Sequence, residues 1–115
     1  MSHYADYLKE TQGKEMLETE YGFLTYGFNC VPGLEVDHCY IEELYVVPSM
    51  RKTHMASTMA DRVCGIAKER GIWLLVGSVN KHAKTKEASC KVLKAYGMDL
   101  FRENEDGLWF AKEIK

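Results

Sequence analysis

Two periodicities alternate along the chain, one of strands and one of helices. From Glu20 to Cys30 the segment EYGFLTYGFNC is rich in aromatic and β-branched residues and predicts a strand. VPGLEVD follows, with Pro32-Gly33 as a turn signal, and His38 to Val47 reads as a second strand, so the two form a hairpin. Pro48 ends it. From His54 to Arg70 the apolar residues Met55, Met59, Val63, Ile66 and Ala67 recur at helical spacing, and Gly71 stands where a helix closes. Ile72 to Val79, IWLLVGSV, is a nearly unbroken apolar run that suits a strand buried on both faces. Thr85 is placed to cap a second helix with Ala88, Val92, Leu93 and Tyr96 as its inner stripe, closed by Gly97. Met98–Arg102 and Leu108–Ile114 make a last hairpin across ENEDG. At the front, Ser2 to about Met16 is polar, and Tyr4, Tyr7 and Leu8 fit one face of a short helix that ends or frays at Gly13.

The order is helix, strand, strand, helix, strand, helix, strand, strand. A buried strand between two helices implies a βαβ crossover and a parallel pair, while the terminal hairpins imply antiparallel flanks. The expected fold class is α/β of the mixed α+β kind: one central mixed sheet flanked by helices, in a single domain of 115 residues.

Composition leaves that picture unchanged, with 46% hydrophobic and 28% charged residues. A formal charge of −2 and a pI near 6.1 provide no basic face for nucleic acid. Cys30, Cys39, Cys64 and Cys90 show no CxxC spacing and read as reduced residues of a cytoplasmic protein. His38-Cys39 is the only adjacent metal-capable pair, so no metal site is expected. No leader-like segment or long apolar span points to secretion or a membrane.

The chemistry concentrates in IEELYVVPSMRKTHMASTMADRV, Ile41 to Val63. Here a strand ends at a proline, Arg51 and Lys52 follow, and a helix begins. A helix start presents unpaired N–H groups and the positive end of a dipole. With two added cations it suits a phosphate or pyrophosphate. LYVVPSMRKTHMAS resembles the core motif of the GNAT N-acetyltransferases, a V-x-P strand followed by Arg/Gln-x-x-Gly-x-Gly/Ala. Arg51 matches its first position and Ala56 its last. SVNKHAKTKEASCKVLKAYGMDLFRE resembles the family's second region, with Asn80 and Gly97-Met98 as landmarks. The likeness covers about Tyr40 to Lys115.

The resemblance implies a GNAT-like acyl-CoA N-acyltransferase fold and acetyl-CoA as co-substrate. Arg51, Lys52, Thr53, His54, Met55, Ala56 and Ser57 would hold the pyrophosphate, with Asn80 nearby. The backbone of Leu44, Tyr45 and Val46 would pair with the pantetheine arm, in the manner of strand addition. It also implies acetyl transfer to a primary amine on a small molecule or protein, by direct attack in a ternary complex. A base must then take the amine's proton, and Glu42 and Glu43 are the candidates. Simple alternation groups Glu42 with Tyr40, Leu44 and Val46, and Glu43 with Ile41, Tyr45 and Val47. Neighbours of this kind would partly desolvate a carboxylate and raise its pKa.

Three departures stand against the family pattern. His54 replaces the loop's first glycine. Leu93 replaces the tyrosine that protonates the departing thiolate, leaving Tyr96 as the candidate donor. The front half holds only a short helix, so the first family strand and helices are reduced or missing, and a homodimer could complete the pocket. These departures favour an alternative, an inactive GNAT-fold binding module like the short, N-terminally reduced relatives among viral proteins.

Overall fold

The computed structural model describes His3, residues 14–50 and residues 53–114. Most of the expected N-terminal helix, with Tyr4, Tyr7, Leu8 and Gly13, lies outside the described residues, as do Arg51 and Lys52. Six strands and two helices follow: β1 Glu15–Thr19, β2 Gly22–Phe28, β3 Cys39–Val46, α1 Met55–Glu69, β4 Leu74–Asn80, α2 Lys86–Ala95, β5 Asp99–Glu103 and β6 Gly107–Glu113. They form one sheet in the order β1-β2-β3-β4-β6-β5. Only β3 and β4 pair in parallel, and both terminal hairpins are antiparallel. This is the mixed sheet that the pattern predicts.

Strand β1 corrects the expectation that only a helix precedes the first hairpin. Glu15 pairs with Tyr26 and Thr19 with Gly22 across a tight turn at Glu20-Tyr21. The strand carries few β-branched or aromatic residues, so its place depends on pairing with β2 rather than on its own propensity.

The helix ends follow the sequence. Gly71 adopts φ 77° and Gly97 φ 94°. After α1, the Ile72 N–H donates to the Ala67 carbonyl at 3.0 Å, and after α2 Met98 does the same to Leu93 at 3.0 Å. These are the bonds that close a helix through a left-handed residue. Thr85 precedes α2 but makes no side-chain cap bond; its carbonyl instead accepts the Ser89 N–H at 2.8 Å.

On one face of the sheet, Met59, Val63, Cys64 and Ala67 of α1 pack with Leu24, Tyr26, Cys39, Leu75, Val79, Leu108 and Phe110. Helix α2 joins them through Cys90, Leu93 and Tyr96. The inner stripe of α2 is therefore a correction, because Ala88 and Val92 are exposed, Val92 at 48%. The two helices touch where Tyr96 reaches Asp61 and Cys64 of α1. His38 is fully buried in the loop before β3. Its Nδ1–H donates to the Val36 carbonyl at 2.8 Å, and its Nε2 accepts the Val31 N–H at 3.2 Å. Both ring nitrogens are thereby engaged, and the described residues contain no group of three metal-capable side chains. All four cysteines are free thiols. Among the described residues no helix is long and apolar enough to cross a membrane.

Candidate functional site

The two middle strands part company halfway along. Strands β3 and β4 pair only through Cys39–Leu75, Tyr40–Val76 and Ile41–Gly77. Beyond that last rung β3 runs on to Val46, still paired with β2, and β4 runs on to Asn80, still paired with β6. A wedge thus opens inside the sheet. Because β3 and β4 are parallel, both carboxyl ends lie at the mouth of the wedge, and so do the starts of α1 and α2. Crevices of this kind, outside the carboxyl ends of parallel strands, are the usual ligand sites of such sheets.

The Val47 N–H donates to the Tyr21 carbonyl at 2.8 Å, so Tyr45 and Val47 direct their backbone groups at β2. By the alternation of an antiparallel ladder, Leu44 and Val46 direct theirs into the wedge. Leu44 and Tyr45 are 40% and 43% exposed, and Val46 is buried.

Helix α1 begins at the mouth. Its first-turn amides, Met55, Ala56 and Ser57, have no acceptor one turn back, as helix geometry requires. No side chain caps them among the described residues. The hydroxyls that could do so turn the other way: Ser57 Oγ and Thr58 Oγ1 each donate to the His54 carbonyl at 2.9 Å, and the Thr58 N–H does so at 3.0 Å. Thr53 Oγ1 donates to the Met50 carbonyl at 2.5 Å. The helix end therefore keeps its positive pole and its donors available to an anion. His54 turns the corner in the left-handed region, φ 65° and ψ 12°, with its side chain exposed. Such a conformation is the one that glycine tolerates best.

The two glutamates part at a bulge. Thr25 pairs with Glu43 and Tyr26 with Ile41, which leaves Glu42 as the extra residue. The extra residue resets the alternation. Tyr40, Glu43 and Tyr45 share one face, opposite Gly27, Thr25 and Phe23, whereas Ile41, Leu44 and Val46 share the helix side. The faces expected from simple alternation are thus corrected at Tyr40 and Ile41. Both glutamates are exposed, so the expected desolvation is corrected as well. Lys14 forms an ion pair with the Glu42 carboxylate. The Glu43 N–H donates to Oγ1 of fully buried Thr25 at 3.0 Å, and Phe23 stacks on Tyr45 at 5.9 Å between centroids.

Asn80 ends β4 at the mouth of the wedge. Its Oδ1 accepts the His82 N–H at 2.8 Å, and this fixes the turn into α2. Beside it Lys81 binds Glu103 at 2.7 Å. The hydrogen bond and the charge of Lys81 hold the Glu103 carboxyl below its ordinary range. Tyr96 is engaged between the two helices. Its hydroxyl donates to Asp61 Oδ1 at 2.5 Å, and Lys112 sits 4.2 Å above its ring. Burial, and then the bond to Asp61, push its pKa well above the tyrosine range.

Tyr40 and Ser78 escaped the sequence reading. The Tyr40 hydroxyl meets Ser78 Oγ at 2.6 Å across the seam where the wedge begins. A lone hydroxyl inside the apolar run IWLLVGSV was the available signal for Ser78.

The model of the acetyltransferase (GNAT) family matches residues 16–98. No curated protein matches the chain. Among solved structures, an acetyltransferase from Thermus thermophilus aligns with a TM-score of 0.72 at 13% identity, over 94% of this chain and 69% of that one. The PaiA N-acetyltransferase of Thermoplasma acidophilum, in complex with coenzyme A, aligns with a TM-score of 0.68 at 12% identity, over 92% and 65%. An anti-CRISPR protein, AcrVA5, aligns with a TM-score of 0.66 at 16% identity, over 87% of this chain and 98% of its own.

Proposed function

The chain belongs to the GNAT acetyltransferase family, and from that premise we propose that it transfers an acetyl group from acetyl-CoA to a primary amine by direct attack in a ternary complex. The observation that carries this reading is the wedge between β3 and β4 with the uncapped start of α1 at its mouth. The donors present fit the coenzyme. The amides of Met55, Ala56 and Ser57 would hold its pyrophosphate, and Arg51 and Lys52 would add charge beside them. The backbone of Leu44 and Val46 would pair with its pantetheine arm. When bound, the coenzyme supplies the acetyl group activated as a thioester.

The chain's own part is orientation, polarisation and proton removal. Of the two glutamates, Glu42 is held by an ion pair with Lys14, which would have to break before its carboxylate met an amine. Glu43 shares its face with Tyr40 and Tyr45. We assign the amine's proton to Glu43, taken directly or through water. Tyr96 is assigned to the α1–α2 contact rather than to proton donation, because its hydroxyl is given to Asp61.

A second reading, an inactive binding module, draws on the left-handed His54 at the phosphate corner. Titration calorimetry with acetyl-CoA separates the two. Binding that weakens at least about tenfold in Arg51→Ala supports the enzyme. No heat, and no rise in melting temperature with excess acetyl-CoA, supports the module.

A further inference from the structure

We propose that the hydroxyl bridge between Tyr40 and Ser78 is an acyl-length gate that limits the wedge to a two-carbon acyl group. The inference rests on the coenzyme reading above. With the pyrophosphate at the start of α1 and the arm running back along β3 from Val46, the thioester end points to the throat of the wedge. The end wall of that throat is the last rung, Ile41–Gly77.

Both faces of the throat are closed by side chains. Tyr40 sits opposite Val76, one rung before the end wall, yet its hydroxyl reaches Ser78, one residue beyond that wall. The half-buried ring therefore lies aslant across the gap just where the strands separate. At 2.6 Å the two hydroxyls are hydrogen-bonded, and the bridge holds the ring in that position. On the opposite face, a Cβ built on Gly77 would stand 3.5 Å from both Leu93 Cδ2 and Met98 Cε. Leu93 and Met98 thus wall the helix side. An acyl chain longer than acetyl has to displace the Tyr40 ring or these two side chains, and forcing extra methylenes into packed surroundings is disfavoured.

The test is the ratio of dissociation constants for butyryl-CoA and acetyl-CoA, read by calorimetry, which needs no acceptor. In the unmodified protein butyryl-CoA should bind at least about tenfold more weakly. Tyr40→Ala should bring the two within about threefold, chiefly by tightening butyryl-CoA. Ser78→Ala keeps the ring but removes its tether, and it should cut the ratio by at least about threefold even if Tyr40→Ala fails to fold. Equal binding of both thioesters by the unmodified protein, or a ratio unchanged in Ser78→Ala, overturns the gate alone. Binding of neither overturns the coenzyme reading, and the gate with it.

Discussion

Gly22 sits at the start of β2, opposite Val46 at the mouth of the wedge. A Cβ built there would lie 2.0 Å from the Tyr45 carbonyl oxygen and 3.0 Å from the Val46 Cα. Both are backbone atoms of β3, so no side-chain rotation relieves the clash, and the strands must separate by about 1.4 Å to restore a normal contact. Overpacking typically costs about 1–3 kcal/mol, and a clash against backbone belongs at the upper end. A domain of 115 residues has an unfolding entropy of roughly 0.24 kcal/mol/K at its midpoint, so about 3 kcal/mol lowers the melting temperature by about 12 °C. Gly65→Ala is the matched control. Gly65 is exposed within α1, and a Cβ there meets nothing within 4 Å. It should gain up to about 1 kcal/mol of helix propensity, a rise of about 4 °C. Thermal unfolding followed by circular dichroism in one buffer measures both. If Gly22→Ala melts within about 2 °C of the parent, the close β2–β3 approach is wrong, and with it the placement of the wedge mouth.

His54→Gly should relieve a left-handed conformation that disfavours side chains by about 1–2 kcal/mol, offset by about 0.5–1 kcal/mol of extra backbone entropy in the unfolded chain. Denaturant melts should therefore show a gain of up to about 1.5 kcal/mol, and acetyl-CoA should bind no more weakly. Tyr96→Phe should lose about 1 kcal/mol through the bond to Asp61 while leaving acetyl-CoA affinity within about twofold; a large loss of turnover with unchanged stability would instead mark Tyr96 as a proton donor. Burial and then neighbouring cysteines push the Cys39 thiol from its ordinary 9.0 up to about 12. The unfolded chain therefore releases this proton first as pH rises, so the stability it contributes is whole below about pH 9 and declines from there towards pH 12. Urea melts across that range should show the decline, and Cys39→Ala should make it shallower.

Elements set by local rules were legible in the sequence. Gly71 and Gly97 marked the helix ends because a left-handed closing residue has a strong local signature. The run IWLLVGSV marked the buried central strand because both of its faces are covered. Features that depend on neighbouring strands were not legible. Strand β1 forms because β2 offers an edge, not because Glu15–Thr19 prefer extension. The bulge at Glu42 comes from the pairing of β2 with β3, and one inserted residue was enough to exchange the faces of Tyr40 and Ile41. In α2, Cys90 packs inward while the more apolar-looking Ala88 and Val92 face out, because the helix lies on the sheet through a narrow contact around Gly77. Around the wedge, the strand-to-helix corner and the strand before it were visible in the sequence as a motif. The hydroxyl pair at the throat joins residues 38 positions apart and needed the fold to bring it together.

Residue-resolved amide chemical shifts during an acetyl-CoA titration test the central claim most directly. The account predicts saturable changes concentrated on Leu44 to Val46 and on Met55 to Ser57, with β5 and the exposed face of α2 unmoved. Changes confined to β5 and β6, or none at millimolar acetyl-CoA, would contradict it.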